Sequence, residues 1–492
     1  MAVLAEGVES RFCESPQIHV GGMVNASSSI TRPAAVGPAR RAVSDPALHS
    51  FPASFGQERV WVLEHLTPDV PLYMHAFATR LRGALDLDAL ERAIEAVVER
   101  HEVLRTRFAV DGGSLRQIVD PALGSSLHVV DLRSEPEARR DDVLAATVER
   151  LADETVDIDR GPLFKATLVR VADDDQVLVV VLHHIVSDGW SMGVLDRDLT
   201  TFYNAFVSGR DRELPDLPIQ YADFAAWQKE YLSGDRLARE VEYWRDRLAG
   251  APALLELPAD RPRPPIQTFD GAAVTFDVSK ATTDGLRAIA SERSATLFMV
   301  LLAAFDVLLL RYTGRDDLTV ATPVAGRTRS ETEELIGFFV NTLVLRSDLS
   351  GDPSFADLVD RTREVALEAY GHQDLPFEKL VEELNPERDL SHLPLAQVMF
   401  VLQNASAPAA GFAGVDPSPI ELEVDMAPYD LTLEVTEIGQ GLRGSFIYNT
   451  DLFDRETAEQ MSRHFVTLLE GLVRDPSTSL SRVPILDADE RD

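Results

Sequence analysis

Cysteine is almost absent from this chain of 492 residues, since Cys13 is the only one. A single cysteine cannot form an intrachain disulfide, so a reducing compartment is expected. No apolar run approaches the length of about 20 residues that a membrane-spanning helix needs. The first ten residues, MAVLAEGVES, lack the basic and then apolar pattern of a secretory signal. Together these absences predict a cytoplasmic protein that does not enter a membrane.

Basic residues are also scarce, with 47 Lys and Arg against 81 Asp and Glu and a net charge of -34. A chain this acidic should be repelled by nucleic acid and by anionic membranes, so neither is expected as a partner. An acidic protein partner would have to dock through a small local patch. No CxxC or HExxH motif occurs, so the sequence predicts no metal site.

What the chain does contain is a mixture of strand and helix patterns after an irregular start. Residues 1–46 are rich in Ala, Gly, Ser, Pro and Val without periodicity, which predicts a disordered leader. The remainder favours an α/β (α+β) fold of two lobes, 47–230 and 231–492. The proline-rich segment LPADRPRPP, residues 257–265, is typical of a linker.

Several elements can be placed from their patterns. Residues RTRFAVDGGSLRQIV predict a hairpin that turns at Asp111-Gly112. FKATLVRV and QVLVVVLHHI predict strands, the second buried on both faces because it is almost wholly β-branched or Leu. Helices are expected at about 191–208, 219–249, 280–292 and 296–312, with strands near 272–278 and at LTVATPVAG.

The segment HHIVSDG, residues 183–189, ends the most apolar strand and carries the strongest chemical signal. Neighbouring side chains on a strand point to opposite faces, so His183 and His184 should not line one surface. One of them could enter a cleft and act as a base, because a histidine near its ordinary pKa can take a proton at neutral pH. The alternative is a pair of hydrogen-bonded core histidines.

Seven separated blocks make the chain from about 50 to 485 resemble the condensation domains of nonribosomal peptide synthetases. These domains share the chloramphenicol-acetyltransferase-like fold, in which two lobes form a V with a tunnel between them. The blocks, in order along the sequence, are SFGQERVWVL, RHEVLRTRF, HHIVSDGWS, YADFAAWQ, IGFFVNTLVLR, HQDLPFEKLV and PERDLSHLPL. Seven blocks in the expected order are a far more specific signal than the histidine pair alone.

The resemblance implies roles for residues of the third block. His184 matches the catalytic histidine, and Gly189 matches the glycine whose backbone N–H lies near the reacting thioester. His183 matches a structural histidine. Asp188 matches an aspartate that pairs with an arginine, for which Arg105 is the expected partner and Arg107 the second choice. Trp190 and Asn341 match blocks that line the channel.

The function implied is condensation, in which an acyl or aminoacyl group moves from a carrier thioester to an amine or a hydroxyl. The donor would arrive on the 4'-phosphopantetheine arm of a peptidyl or acyl carrier protein supplied in trans, with no permanently bound cofactor. The chain contains no adenylation signature and no plausible carrier serine motif, which suggests a free-standing enzyme. Two alternatives are an acyltransferase of the same fold that uses acyl-CoA, and a non-catalytic module that docks carriers.

Overall fold

The computed structural model describes residues 48–66, 73–124, 126–211, 214–386, 389–403, 411–422, 424–486 and 490. The leader expected at residues 1–46 lies outside them.

The first half of the described chain alternates strands and helices in a way that forms two sheets. Its elements are β1 (His49–Pro52), α1 (Phe55–Leu66), β2 (Met74–Gly83), α2 (Leu87–Arg100), β3 (Thr106–Asp111), β4 (Ser114–Val119), β5 (Leu127–Asp131), α3 (Glu137–Ala152), β6 (Phe164–Ala172), β7 (Asp175–His183), α4 (Gly189–Val207) and α5 (Tyr221–Tyr231). Strands β1, β4 and β3 form a three-stranded antiparallel sheet. Strands β2, β7, β6 and β5 lie side by side in a second sheet of five strands.

The second half forms one larger sheet with helices packed against it. Its elements are α6 (Gly234–Leu248), β8 (Gly271–Val278), α7 (Lys280–Glu292), α8 (Leu297–Thr313), β9 (Asp317–Val324), α9 (Ser330–Glu333), β10 (Asn341–Asp348), α10 (Phe355–Gly371), α11 (Phe377–Leu384), β11 (Val398–Gln403), β12 (Val415–Ile420), β13 (Leu431–Ile438), β14 (Gly441–Asn449) and α12 (Arg455–Arg474). The sheet order is β10-β9-β11-β13-β14-β8. The mixed α/β class predicted from the sequence is confirmed.

Strand β7 has the burial that its composition predicted. All eight residues from Gln176 to His183 are buried, because β2 and β6 flank the strand, α3 contacts it, and Leu178, Val180 and Leu182 share a hydrophobic core with residues of α2 and α4. The apolar run therefore ends inside the protein, where the chain turns into α4. This turn carries the histidine pair.

The two halves are linked by more than the chain that joins them. Strand β12, from the second half, pairs antiparallel with β2 and becomes the edge of the first half's five-stranded sheet. Leu335, Ile336 and Phe339 also pack into the hydrophobic core of the first half. A division of the chain at residue 230 stays a prediction, and these contacts cross it.

Two local expectations need correction. In the hairpin, Asp111 pairs with Ser114, so the turn is formed by Gly112 and Gly113 and not by Asp111-Gly112. Both glycines have positive φ, 59° and 82°, as a two-residue hairpin turn of type I′ requires. The single helix expected at 219–249 is two helices, α5 and α6, separated where Ser233 takes an extended backbone.

The remaining expected elements lie close to their predicted positions, including α7, α8, β8 and β9. Residues 257–265 form no helix or strand, as a linker would, but they are anchored: Arg263 Nη1 donates to Asp430 Oδ1 at 2.8 Å. Within the described residues no single helix is long and apolar enough to cross a membrane. Helices α7 and α8, with a bend of 108° between them, reach that length and apolarity only when they are taken together.

Candidate active site

His183 ends β7 with its side chain fully buried. Its Nδ1 accepts a hydrogen bond from the backbone N–H of Ile185 at 3.0 Å, so the ring proton of the neutral form must sit on Nε2. That nitrogen lies 3.5 Å from Oε2 of Glu64 on α1. His183 therefore lies in the protein interior and bonds within the turn, and the structural role that the resemblance implied stays a prediction.

His184 faces a different environment, as the alternation argument predicted. It begins a short 3₁₀ turn, His184–Val186, and is half-buried. Its Nδ1 lies 2.6 Å from the carbonyl oxygen of Ser187, which can only accept a hydrogen bond. The proton of the neutral imidazole must therefore sit on Nδ1, and this leaves the lone pair of Nε2 available as a base.

The surroundings of His184 favour the neutral imidazole. Burial lowers its pKa from the ordinary value of 6.5, while the Ser187 carbonyl and the nearby Asp188 carboxylate act in the opposite direction. Two rings flank the imidazole, that of Phe338 at 4.9 Å and that of His75 at 4.1 Å between centroids. A neutral histidine with one free ring nitrogen is the form that can remove a proton from a nucleophile at neutral pH.

Asp188 forms a buried pair with Arg327, a residue that the sequence analysis missed. Arg327 Nη2 donates to Asp188 Oδ1 at 3.1 Å, and the two side chains are only 1% and 2% exposed. Asp188 also accepts hydrogen bonds from Ser191 N at 2.8 Å, which caps the start of α4, and from Phe339 N at 3.0 Å. The carboxylate thus connects the histidine turn, the first turn of α4 and the segment after β9.

The expected pairing of Asp188 with Arg105 is therefore wrong. Arg105 lies 3.7 Å from Glu102, three residues away, and Arg107 lies 3.7 Å from Asp120. The second block instead reaches α4 through its first two residues, Arg100 and His101, which contact the buried carboxylate of Asp198 at 2.9 Å each. Membership of the second block therefore did not identify the arginine that pairs with Asp188.

Gly189 is the first residue of α4 and is exposed. A methyl group built on it would meet no atom within 4 Å, so the fold itself does not require glycine at this position. Its backbone N–H belongs to the first turn of the helix, where amides have no partner within the helix. The open space beside this amide is compatible with the approach of a ligand.

Asn341 and Trp190, both expected to line a channel, occupy different settings. Asn341 borders an open cavity whose wall also includes Phe338 and Glu378. Its amide group is fully engaged with backbone: Nδ2 donates to two carbonyl groups and Oδ1 accepts from Thr342 N and Phe377 N. Trp190 is 45% exposed and does not border this cavity.

Two further residues of the site lie outside the predicted set. Gln57, in the first block, donates from Nε2 to the Ile185 carbonyl at 3.2 Å and so holds the histidine turn from α1. His75, on β2, lies against His184. Gln57 carried a sequence signal, since it belongs to the SFGQERVWVL block. His75 carried none beyond its residue type.

Among the described residues, no group of three or more His, Cys, Asp or Glu is placed to hold a metal ion. Two α/β lobes with a histidine directly after a buried strand, and the Nε2 atom of that histidine open, define the chloramphenicol-acetyltransferase-like class of acyltransferase folds. Within that class, the family model described as Condensation domain matches residues 48–492. The chain belongs to the condensation-domain family, and the resemblance seen in its motifs is confirmed.

Relatives are found mostly inside much longer proteins. A linear gramicidin synthase protein of Brevibacillus parabrevis is 45% identical over 449 residues, which is 91% of this chain and 6% of that protein. Phosphinothricin tripeptide synthetase PhsC of Streptomyces viridochromogenes is 40% identical over 453 residues, or 89% of this chain and 40% of the relative. The chain thus spans well under two thirds of these curated relatives.

A solved structure shows the same architecture. The X-domain from teicoplanin biosynthesis is 32% identical and superposes with a TM-score of 0.81, covering 91% of this chain and all of that chain. The predicted fold, a chloramphenicol-acetyltransferase-like arrangement of two lobes, is therefore confirmed.

Proposed function

We propose that this chain transfers an acyl or aminoacyl group from a carrier-bound phosphopantetheinyl thioester to an amine, forming an amide, or to a hydroxyl, forming an ester. The observation that carries the proposal is the contact of 2.6 Å between His184 Nδ1 and the carbonyl oxygen of Ser187. Because Nδ1 is held by this carbonyl, Nε2 is the free base. No other member of the histidine turn combines a free basic nitrogen with partial exposure.

The chemistry needs little more than this base and correct alignment. The acceptor nitrogen attacks the thioester carbon, His184 Nε2 takes a proton from that nitrogen, and the tetrahedral intermediate expels the thiolate. The thiolate sulfur then receives the proton from the imidazolium, so the reaction needs no other reagent. A general base contributes ~10²–10⁴-fold. Alignment of two bound reactants contributes several kcal/mol more.

The neighbouring residues take supporting roles in this proposal. The Gly189 N–H faces the developing oxyanion of the thioester carbonyl, where a preorganised donor stabilises the transition state. Asp188 and Arg327 hold the turn that carries His184 and Gly189 in one orientation. The cavity beside Phe338 and Asn341 is proposed as one approach, because the Phe338 ring that lines it lies 4.9 Å from the ring of His184. The cytoplasmic location stays a prediction.

Docking of the carrier should depend on a local patch. A net charge of -34 offers no long-range attraction to an acidic partner. An interaction based on a small apolar patch should be modest in affinity and weakly dependent on salt, compared with a charge-steered pair. This expectation separates the proposal from an acyltransferase that uses free acyl-CoA.

One experiment tests both the reaction and the donor. The same acyl group is supplied on a holo-carrier protein, on CoA and on a short pantetheine mimic, and kcat/KM is measured at low and high salt for each. The proposal expects the carrier to be preferred and its rate to change little with salt. If CoA serves equally well, the chain is an ordinary acyltransferase of this fold. If no donor supports turnover while the carrier still binds, the chain is a docking module.

A further inference from the structure

A second histidine lies against the imidazole of His184. His75 is the second residue of β2, where it pairs with Leu182 of β7, so it lies diagonally across from His184. The ring centroids of the two histidines are 4.1 Å apart, with an angle of 44° between the ring planes. The backbone fixes this arrangement, because the N–H of His184 donates to the carbonyl of Tyr73 at 2.7 Å.

The Nδ1 atom of His75 is buried and has no hydrogen-bond partner among the described residues. Leaving such a group unpaired costs about 1–3 kcal/mol, so buried polar atoms without partners call for an explanation. Burial, followed by the neighbouring His184 and His183, lowers the pKa of His75 well below 6.5. The neutral form of His75 is therefore favoured, and a neutral imidazole offers one acceptor nitrogen.

We propose that His75 is a specificity-determining residue that accepts the second N–H of a primary-amine acceptor while His184 accepts the first. The inference rests on the proposed function, since it assigns His184 the first proton. A primary amine in its reactive, neutral form carries two N–H groups on the attacking nitrogen. Two acceptors that bracket the nitrogen would orient its lone pair towards the thioester carbon.

The spacing of the two rings fits such a fork. An amine nitrogen that donates two hydrogen bonds of about 2.9 Å places its acceptors roughly 4.7 Å apart. A centroid separation of 4.1 Å is compatible with one nitrogen of each ring at about this distance. A hydroxyl acceptor has a single O–H, which His184 takes, so it gains nothing from His75. The residue would therefore favour amide over ester formation.

The test uses matched acceptors and one donor thioester, the one that the wild-type chain uses fastest in the donor comparison above. The first pair of acceptors is L-alaninamide and L-lactamide, which are identical except that the second has a hydroxyl where the first has an amine. Further pairs of an amino compound and its 2-hydroxy analogue follow the same design. N-methyl-L-alaninamide serves as a secondary amine with one N–H. Measurements at about pH 8.5 keep most of the amine unprotonated.

Three variants separate hydrogen bonding from structural effects. His75→Phe keeps a ring of similar size without nitrogen, while His75→Asn and His75→Gln place an amide oxygen near the positions of Nδ1 and Nε2. The proposal expects His75→Phe to lower kcat/KM by about tenfold for the primary amine, as one lost hydrogen bond would. Values for the hydroxyl and secondary-amine acceptors should stay within about twofold, and either Asn or Gln should restore part of the loss. Melting temperatures identify any variant that fails to fold.

The outcome for His75 is distinct from the outcome for the proposed function. Wild-type turnover that His184→Ala abolishes supports the function whatever His75 does. An equal loss for all three acceptors in His75→Phe, or an undiminished rate with L-alaninamide, would overturn the inference about His75. If His75→Phe does not fold, the same ratios measured for the Asn and Gln variants decide the question, because only one of the two amides can place its oxygen at the required nitrogen position.

Discussion

Arg327 Nη2 and Asp188 Oδ1 lie 3.1 Å apart, although the residues are separated by 139 positions in the chain. The pair joins the turn after β7 to the segment after β9, so it connects the two halves directly beside His184. Arg327 also donates to the carbonyl of Leu335 at 2.7 Å, and its guanidinium lies 4.1 Å from the ring of Phe339. A buried pair adds little net stability, but removing one partner leaves an uncompensated charge.

The first prediction compares Arg327 with the partner that the sequence suggested. Arg327→Met should lower the free energy of unfolding by ~3–5 kcal/mol, because Asp188 stays buried without its cation. Arg105→Met should cost no more than about 1 kcal/mol, because Arg105 is partly exposed and lies 3.7 Å from Glu102. Chemical denaturation of the two variants measures the difference.

A double-mutant cycle provides the control. Combining Asp188→Asn with Arg327→Met should give a loss that differs from the sum of the single losses by ~0.5–3 kcal/mol, as expected for residues in contact. Combining Asp188→Asn with Arg105→Met should be additive. Additivity in the first cycle and coupling in the second would restore Arg105 as the partner.

The sequence predicted local elements well because their signals are local. Strand β7 was evident from its run of β-branched residues and Leu, and different environments for His183 and His184 were expected from strand geometry, although His184 lies in the 3₁₀ turn that follows the strand. The partner of Asp188 could not be found in this way. Arg327 lies outside all seven blocks, and nothing in composition or periodicity indicates that it crosses to the other half.

Other parts of the site depend on tertiary placement for the same reason. His75 lies beside His184 only because of the register of β2 against β7, and this register is not visible in the sequence. Asn341 belonged to a recognisable block, but three of the four backbone groups that engage its amide come from the 373–377 segment, so these bonds depend on how that segment folds back. Motifs identify residues that matter, and packing decides what each of them contacts.

The second prediction concerns His184 itself. His184→Ala should lower kcat by ~10²–10⁴-fold, because the general base is lost. The melting temperature should change little, since the side chain is only half-buried and its one hydrogen bond is to a backbone carbonyl. His128→Ala, at an exposed histidine on β5, is the matched control and should leave both quantities unchanged. Activity within a few fold of wild type in His184→Ala would remove the catalytic role.

The third prediction is the pH dependence of kcat/KM. The base must be neutral to accept a proton, and burial lowers the pKa of His184 from 6.5. Activity should therefore be retained as the pH falls to 6.5 and be lost only below that value. A hydroxyl acceptor is preferable for the measurement, because an amine acceptor adds its own protonation near pH 8. An activity that already declines by half above pH 7 would show that His184 is not the titrating base in the free enzyme.

The last prediction compares two glycines close to the site. Gly189→Ala should keep the wild-type melting temperature, because the added methyl group meets no atom within 4 Å. Its kcat/KM should fall at least about tenfold, since a methyl group beside the N–H displaces the thioester and a misplacement of about 1 Å can cost ~10²-fold.

Gly326→Ala should behave in the opposite way. Gly326 has a φ of +64°, and a methyl group there would overlap the carbonyl oxygen of Phe339. Alanine at such a position destabilises by more than ~1 kcal/mol, so the melting temperature should drop. Thermal melting and kcat/KM measured on both variants distinguish a glycine that leaves space for substrate from one that the backbone requires. Wild-type kcat/KM in Gly189→Ala would mean that the thioester does not approach this amide, and that the oxyanion must be stabilised by another donor.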